Sequence, residues 1–282
     1  MATRRPGLLD RIDLLALRMV KSGRAKRTAD AAFYESFFTE DDVEKYVDDV
    51  RNAFRFRRVG EAYRLLFGEG AARVADIGAG LGVARRFLPP AADYLGVEYS
   101  AQSIALARRI AEGPAARFVE GGFPRLPVED GWADMVICLE VIEHIADDRQ
   151  AIAELRRIVR PGGYLLLSVP GTWYWPDYLR LIGHYRHYTR DALAVLLDGA
   201  GLQIVRGYAQ FDGFWRGYHY LYLALKAFEL VVRKTVRPDF SVLHTALYRR
   251  IARAAERWVA THDVLDDPGS TFVLCRRERA AS

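Results

Sequence analysis

From about residue 72 the sequence alternates short runs rich in β-branched and aromatic residues with stretches of helical periodicity, and few folds accommodate this. The apolar runs call for burial on both faces, as in a mostly parallel sheet covered by helices. Strand candidates are 73–77, 94–98, 117–120, 134–139, 164–169, 203–208 and 271–275. Helical patterns lie near 82–88, 101–112, 146–159 and 189–200, and Pro161-Gly162-Gly163 provides a turn before the fifth strand.

Two regions stand outside the alternation. Residues 1–70 read as a helical N-terminal segment, with Leu8, Ile12, Leu15 and Met19 on one stripe and further helix over 33–67. Residues 214–263 separate the last two strands with apolar residues at helical spacing, from Trp215 to Trp258. The expected organisation is thus 1–70 as a cap or contact segment and 71–282 as one α/β domain with a helical insertion at 214–263.

The first strand runs into Gly78-Ala79-Gly80-Leu81-Gly82. Glycines at alternate positions let the backbone approach a ligand and turn toward a helix N-terminus. A dinucleotide loop reads G-x-G-x-x-G, whereas here the third glycine comes one residue early and position 83 is valine. Asp76, two residues before the first glycine, would repel a pyrophosphate, which disfavours a dinucleotide-dependent oxidoreductase. Glu98 ends the second strand, 22 residues after Asp76. A carboxylate about 20 residues beyond such a loop is placed to accept hydrogen bonds from ribose hydroxyls.

The ordered set DIGAGLG, VEYS, LPVEDGWADMVICLEVIEH, RPGGYLLLSVP and HYRHYTRDALAVLLDGAGL resembles the class I S-adenosylmethionine-dependent methyltransferases over roughly 72–210, plus the final strand. The resemblance implies a doubly wound seven-strand sheet of order 3-2-1-4-5-7-6, Rossmann-like and mostly parallel, that binds S-adenosyl-L-methionine. Asp76, Gly78 and Gly80 would surround the methionine half of the cofactor, Glu98 with Tyr99 would hold the ribose side, and Leu139 would lie beside the reacting centre. The adenine contact would fall at Gly122 and Phe123, where the family's acidic side chain is missing. In the implied strand order Cys138 and Cys275 sit two strands apart, roughly 9–10 Å. That is beyond disulfide reach, so a bridge between them would contradict the topology.

Methyl transfer from a sulfonium requires alignment of the acceptor and, for a hydroxyl, removal of its proton. Glu140-Val141-Ile142-Glu143-His144 places Glu140, Glu143 and His144 on one face of a helical turn, and Gly183-His184-Tyr185-Arg186-His187-Tyr188-Thr189 follows the fifth strand. The first segment is similar to the E-x-x-E-H helix of ubiquinone-pathway O-methyltransferases and small-RNA 2′-O-methyltransferases. That likeness implies a divalent metal (Mg²⁺, Mn²⁺ or Zn²⁺) held by Glu140, Glu143, His144 and His187. A metal-free route with His144 or His187 as direct general base stays open, as does a non-catalytic S-adenosylmethionine-binding protein. Trp173, Tyr174, Trp175 and Tyr178 should overhang the same edge as an acceptor wall or a small core.

The net charge of +5 hides a division. Residues 1–31 carry 8 basic and 3 acidic side chains, 214–263 carry 9 and 4, and 32–213 carry 21 and 26. The core is acidic and its flanks are basic. The flanks suit an acceptor-pocket cap, a homodimer contact or a peripheral membrane contact serving a small-molecule or lipid-linked acceptor. Nucleic acid is disfavoured because no RNA-binding module accompanies the core. No apolar run approaches the ~18 residues of a bilayer span. With no signal-peptide pattern and with both cysteines in strand-like runs, the chain reads as cytoplasmic and reduced.

Overall fold

A computed structural model of the chain describes residues 50–110, 116–171, 183–208, 246–261 and 271–279, and the helical positions 221, 224, 225, 228, 229 and 232. The stripe at 8–20 and the aromatic run at 173–178 lie outside these residues.

Seven strands form one sheet in the order β3-β2-β1-β4-β5-β7-β6. They are β1 (Arg73–Ile77), β2 (Asp93–Glu98), β3 (Ala116–Glu120), β4 (Ala133–Leu139), β5 (Val159–Ser168), β6 (Leu202–Gly207) and β7 (Phe272–Arg277). β1 to β5 are parallel, and β7 runs antiparallel between β5 and β6. Cys138 and Cys275 are both buried free thiols on β4 and β7, with β5 between them.

The helices are α1 (Val50–Phe67), α2 (Ala101–Ile110), α3 (Asp148–Ile158), α4 (Arg190–Asp198) and α5 (Ala246–Thr261). Local chemistry sets their starts. Asp147 accepts from the Gln150 amide at 2.9 Å to begin α3, and Thr189 accepts from the Ala192 amide at 3.1 Å to begin α4. Alternation along the strands then divides the core between the two sheet faces. Val74, Tyr94 and Met135 face α1, whereas Ala75, Val136 and Leu165 face α3 and α4.

Three expectations change. Phe56, Val59 and Tyr63 of α1 belong to the same core cluster as the sheet, so the packed domain begins well before the boundary at 71. The helix expected over 82–88 is a short 3-10 segment, Val83–Phe87. Pro89 and Pro90 stop it there, because the residue before a proline is pushed out of the helical region and Leu88 is extended. β5 starts earlier than expected, and Pro161-Gly162-Gly163 forms an irregularity within it, between the Ala133/Val159 and Met135/Tyr164 pairs.

At the far side of the sheet the chain leaves β6 and returns to β7 side by side, the Tyr208 amide donating to the Phe272 carbonyl at 2.8 Å. The parallel strands meanwhile present their carboxyl ends along one edge. In an open α/β sheet that edge is where ligands bind.

Candidate active site at the carboxyl edge of the sheet

β1 ends in a loop whose shape depends on glycine. Gly78 has φ of 72°, and a Cβ there would stand 2.5 Å from Val141 Cγ2. Gly82 has φ of 69°, and its Cβ would meet the Phe118 ring at 2.6 Å. Larger residues would be strained twice, by conformation and by contact. The loop is tied to β2, since Gly78 and Ala79 both donate to the Val97 carbonyl.

Glu98 secures the arrangement. Its Oε2 accepts from the Gly80 amide at 2.8 Å, and its Oε1 accepts from the Tyr99 and Ser100 amides at 2.8 and 3.0 Å. A carboxylate offers about four lone-pair sites, so roughly one stays open toward a ligand hydroxyl. Glu98 is thus both the brace of the glycine loop and the acceptor at its rim.

Asp76 lies beneath this rim, 4% exposed, and accepts from the Tyr94 hydroxyl at 2.6 Å. Burial pushes its carboxyl up to about 7, with the Tyr94 bond opposing and Glu98 adding to the rise. Beyond β3, Phe123 is drawn against the second core cluster. Gly122 sits under the exposed ring of Tyr99, where a Cβ would come within 3.2 Å of Tyr99 Cδ2. At this edge Tyr99, more than Phe123, offers an aromatic surface to a planar ligand. Leu139 closes β4 and packs partly against the first cluster.

The next residue, Glu140, has φ of 57°, the one positive value among the described non-glycine residues. Such a conformation costs on the order of 1–3 kcal/mol and persists only where surroundings enforce it. Here the Glu140 amide donates to the Ser168 carbonyl at 3.0 Å, the Ser168 hydroxyl donates to Glu140 Oε1 at 2.8 Å, and Arg55 of α1 lies 3.6 Å from Oε2.

Ile142–His144 forms one 3-10 turn, and Glu143 within it is fully buried. Neither of its carboxylate oxygens has a hydrogen-bond partner from another residue among the described ones. Burial, then the Glu140 charge, holds its pKa well above the ordinary carboxylate value. Around it stand imidazoles, His144 Nε2 at 3.9 Å and His184 Nε2 at 4.0 Å from Oε1. The candidate ligand atoms of Glu143, His144 and His184 lie within 4.8 Å of one another.

Hydrogen bonds behind the rings fix their positions. His144 Nδ1 is 3.1 Å from the Gly183 carbonyl, which can only accept, so Nδ1 is the donor. His184 Nδ1 is 2.7 Å from His187 Nε2. Burial lowers His187 to about 4, against the pull of Glu140 and the Gly171 backbone, so its ring is neutral near pH 7. The segment carrying His184 is pinned in place by Tyr185 N donating to the Glu143 carbonyl at 2.8 Å and by Arg186 on Asp148 at 2.9 Å.

Residues 75–167 match the family model described as a methyltransferase domain. The chain is 33% identical over 118 residues to a demethylmenaquinone methyltransferase of Thermus thermophilus, covering 40% of this chain and 53% of that protein. It is 31% identical over 103 residues to a ubiquinone biosynthesis O-methyltransferase of Acinetobacter baylyi, covering 34% and 42%. The chain spans less than two thirds of the length of these curated relatives. Among solved structures, the [4+2]-cyclase SpnF shares the fold at a TM-score of 0.52 and 17% identity, over 99% of this chain and 100% of that one. Residues 75–167 lie in a methyltransferase domain, and the strand order is the one that the resemblance to class I S-adenosylmethionine-dependent methyltransferases implied.

In this methyltransferase domain the glycine loop, Glu98, Tyr99, Gly122 and the 140–144 turn gather at one edge. The four residues expected to hold a metal are not all brought together. Glu143 and His144 come together, but His184 takes the place expected of His187, which backs His184 from behind. Glu140 is occupied by Ser168 and Arg55 and lies outside the cluster. Arg55 gave no signal in the sequence, because α1 falls outside the strand and helix alternation.

Proposed function

We propose that the chain is an S-adenosylmethionine-dependent methyltransferase acting on a hydroxyl oxygen, with Glu143, His144 and His184 holding a divalent metal beside the cofactor. The observation that carries this reading is Glu143, a wholly buried carboxylate without a hydrogen bond from another described residue, with the Nε2 atoms of two imidazoles 3.9 and 4.0 Å from its Oε1. A buried carboxylate without a counter-charge is expensive, and a cation among those three groups would resolve it. One carboxylate and two imidazoles suit Zn²⁺ or Mn²⁺ better than Mg²⁺, which prefers oxygen ligands.

The cofactor supplies an electrophilic methyl on a sulfonium. Gly78 and Gly80 leave room for its amino-acid half, Glu98 keeps an acceptor site for its ribose, and Tyr99 over Gly122 offers a surface for its base. A metal at the cluster would supply Lewis acidity, lowering the pKa of a bound hydroxyl. His187 orients His184, as outer partners of ligating histidines commonly do. Direct deprotonation by His187 is the weaker reading, because a ring with a pKa of about 4 is a poor base and its Nε2 is engaged by His184. The likeness to a ubiquinone biosynthesis O-methyltransferase supports oxygen as the methylated atom.

The test is an acceptor screen for S-adenosylhomocysteine release, run on chelated and metal-restored protein with elemental analysis. Activity that returns with Zn²⁺ or Mn²⁺ supports the reading. Full turnover by metal-free protein would sink the metal, and cofactor binding without release on any hydroxyl acceptor would sink the reaction.

A further inference from the structure

Tyr94 of β2 is fully buried in the core cluster beneath α1, its ring 5.8 Å from that of Phe118. A phenylalanine would fill the same space, and what the hydroxyl adds is its bond to Asp76. In the strand register Tyr94 stands opposite Val74, two residues short of Asp76, and its ring reaches along the sheet to put the hydroxyl 2.6 Å from Asp76 Oδ2. The other oxygen, Oδ1, makes no hydrogen bond among the described residues, although Asp76 is only 4% exposed. A buried carboxyl oxygen without a donor is costly and calls for a partner. Asp76 stands two residues before Gly78, at the loop proposed above to take the amino-acid half of S-adenosylmethionine. That half carries an ammonium, a donor of the kind that Oδ1 lacks.

The charged and titratable groups around Asp76 come from several elements. β2 supplies Tyr94 and Glu98, β4 the buried Cys138 thiol, and the 3-10 segment Arg85, whose Nη1 donates to the Leu88 and Pro89 carbonyls. α1, packed on the same face, turns Arg55 toward Glu140, Arg58 toward Glu61 and the Tyr63 hydroxyl toward the Gly70 carbonyl. No cation donates to Asp76 among the described residues, so its carboxyl holds a proton up to about pH 7. An ammonium has three donors and no acceptor, and therefore pairs with a carboxylate and not with a protonated carboxyl.

We infer that Tyr94 is a positioning residue for cofactor binding: its hydroxyl holds Asp76 Oδ2 so that Oδ1 receives the ammonium of the cofactor's amino-acid half, and the Asp76 carboxyl releases one proton to the buffer as that ammonium docks. The inference rests on the S-adenosylmethionine reading above. It adds to the binding step a residue outside the glycine loop and a proton.

The full chain is to be titrated calorimetrically with S-adenosylhomocysteine and with 5′-methylthioadenosine, which has the same nucleoside and no amino-acid half. Buffers of low and high ionisation enthalpy, between about pH 5.5 and about pH 8.5, count the protons released. S-adenosylhomocysteine should release about one proton below pH 7 and none well above it, its affinity falling about tenfold per pH unit below 7. 5′-Methylthioadenosine should show neither effect, which excludes Glu98 as the source because the ribose is common to both. Tyr94→Phe should move the fall in S-adenosylhomocysteine affinity upward by about one pH unit, since the carboxylate loses a hydrogen bond. Asp76→Asn should abolish proton release. The unmodified chain decides the matter even where a variant folds poorly. Binding of S-adenosylhomocysteine without proton release, or equal release with both nucleosides, would overturn the inference and leave the cofactor reading standing, whereas binding of neither would overturn both.

Discussion

Gly80 N donates to Glu98 Oε2 across 2.8 Å, joining the loop after β1 to the end of β2, while the other Glu98 oxygen takes the amides that open the path into α2. Loop shape therefore hangs on the side chain proposed to hold the cofactor ribose. Glu98→Ala removes a charged acceptor from three amides at once, each bond worth about 1.5–3 kcal/mol. Cofactor affinity should fall at least about 100-fold by calorimetry. An unchanged affinity would mean that the loop keeps its form without this carboxylate.

Glu143→Gln keeps the shape of the buried side chain and removes its charge. In the presence of chelator the variant should melt at or above the temperature of the unmodified chain, by up to a few degrees. Its advantage should grow with pH, because a carboxyl with a raised pKa destabilises the fold once ionised. Added Zn²⁺ or Mn²⁺ should raise the melting temperature of the unmodified chain alone. Equal metal stabilisation of both proteins would remove Glu143 from the ligand set.

His184 and His187 separate by role. His184→Ala should abolish metal binding measured by competition with a chromophoric chelator, and His187→Ala should weaken it about 10–100-fold through loss of ring orientation. The reverse order of effects would restore His187 as the ligand.

At Glu140 the strained backbone can be weighed against its contacts. Glu140→Ala loses Ser168 and Arg55 and keeps the strain, whereas Glu140→Gly loses the same contacts and relieves it. The glycine variant should be more stable than the alanine variant by about 1 kcal/mol in chemical denaturation. Equal midpoints would show that the positive φ carries no cost.

Asp76 has a pH signature of its own. Between about 3.8 and about 7 the folded chain keeps a proton that the unfolded chain has released, so stability falls as pH rises through that window. The loss is on the order of a few kcal/mol. Asp76→Asn should remove this slope while keeping an acceptor for the Tyr94 hydroxyl. Parallel stability curves for the two proteins would mean that the buried carboxyl is ionised throughout.

Much of the fold was legible because a buried parallel sheet writes itself as apolar runs between helices, and each run here became a strand. The glycine loop and Glu98 were legible as well, since close backbone approach and a carboxylate at fixed distance leave marks in a single segment. The cluster around Glu143 was legible only in part. Glu143 and His144 are neighbours in the chain, but the approach of His184 to Glu143 goes with Tyr185 N docking on the Glu143 carbonyl, a tertiary contact with no local pattern. The same holds for Arg55, which reaches Glu140 only because α1 packs its apolar side onto the sheet.

Because Tyr208 N and Phe272 O are bonded at 2.8 Å, the residues between β6 and β7 leave and rejoin the sheet at a single point. Added length there need not disturb the strand pairing, since doubling a flexible loop costs only about 0.6 kcal/mol in closure entropy. The segment between those strands can be lengthened, shortened or exchanged while Glu98 and Glu143 keep their places on the opposite half of the sheet. The Tyr208–Phe272 bond is thus a closed gate at which an insertion enters and leaves without parting the two strands.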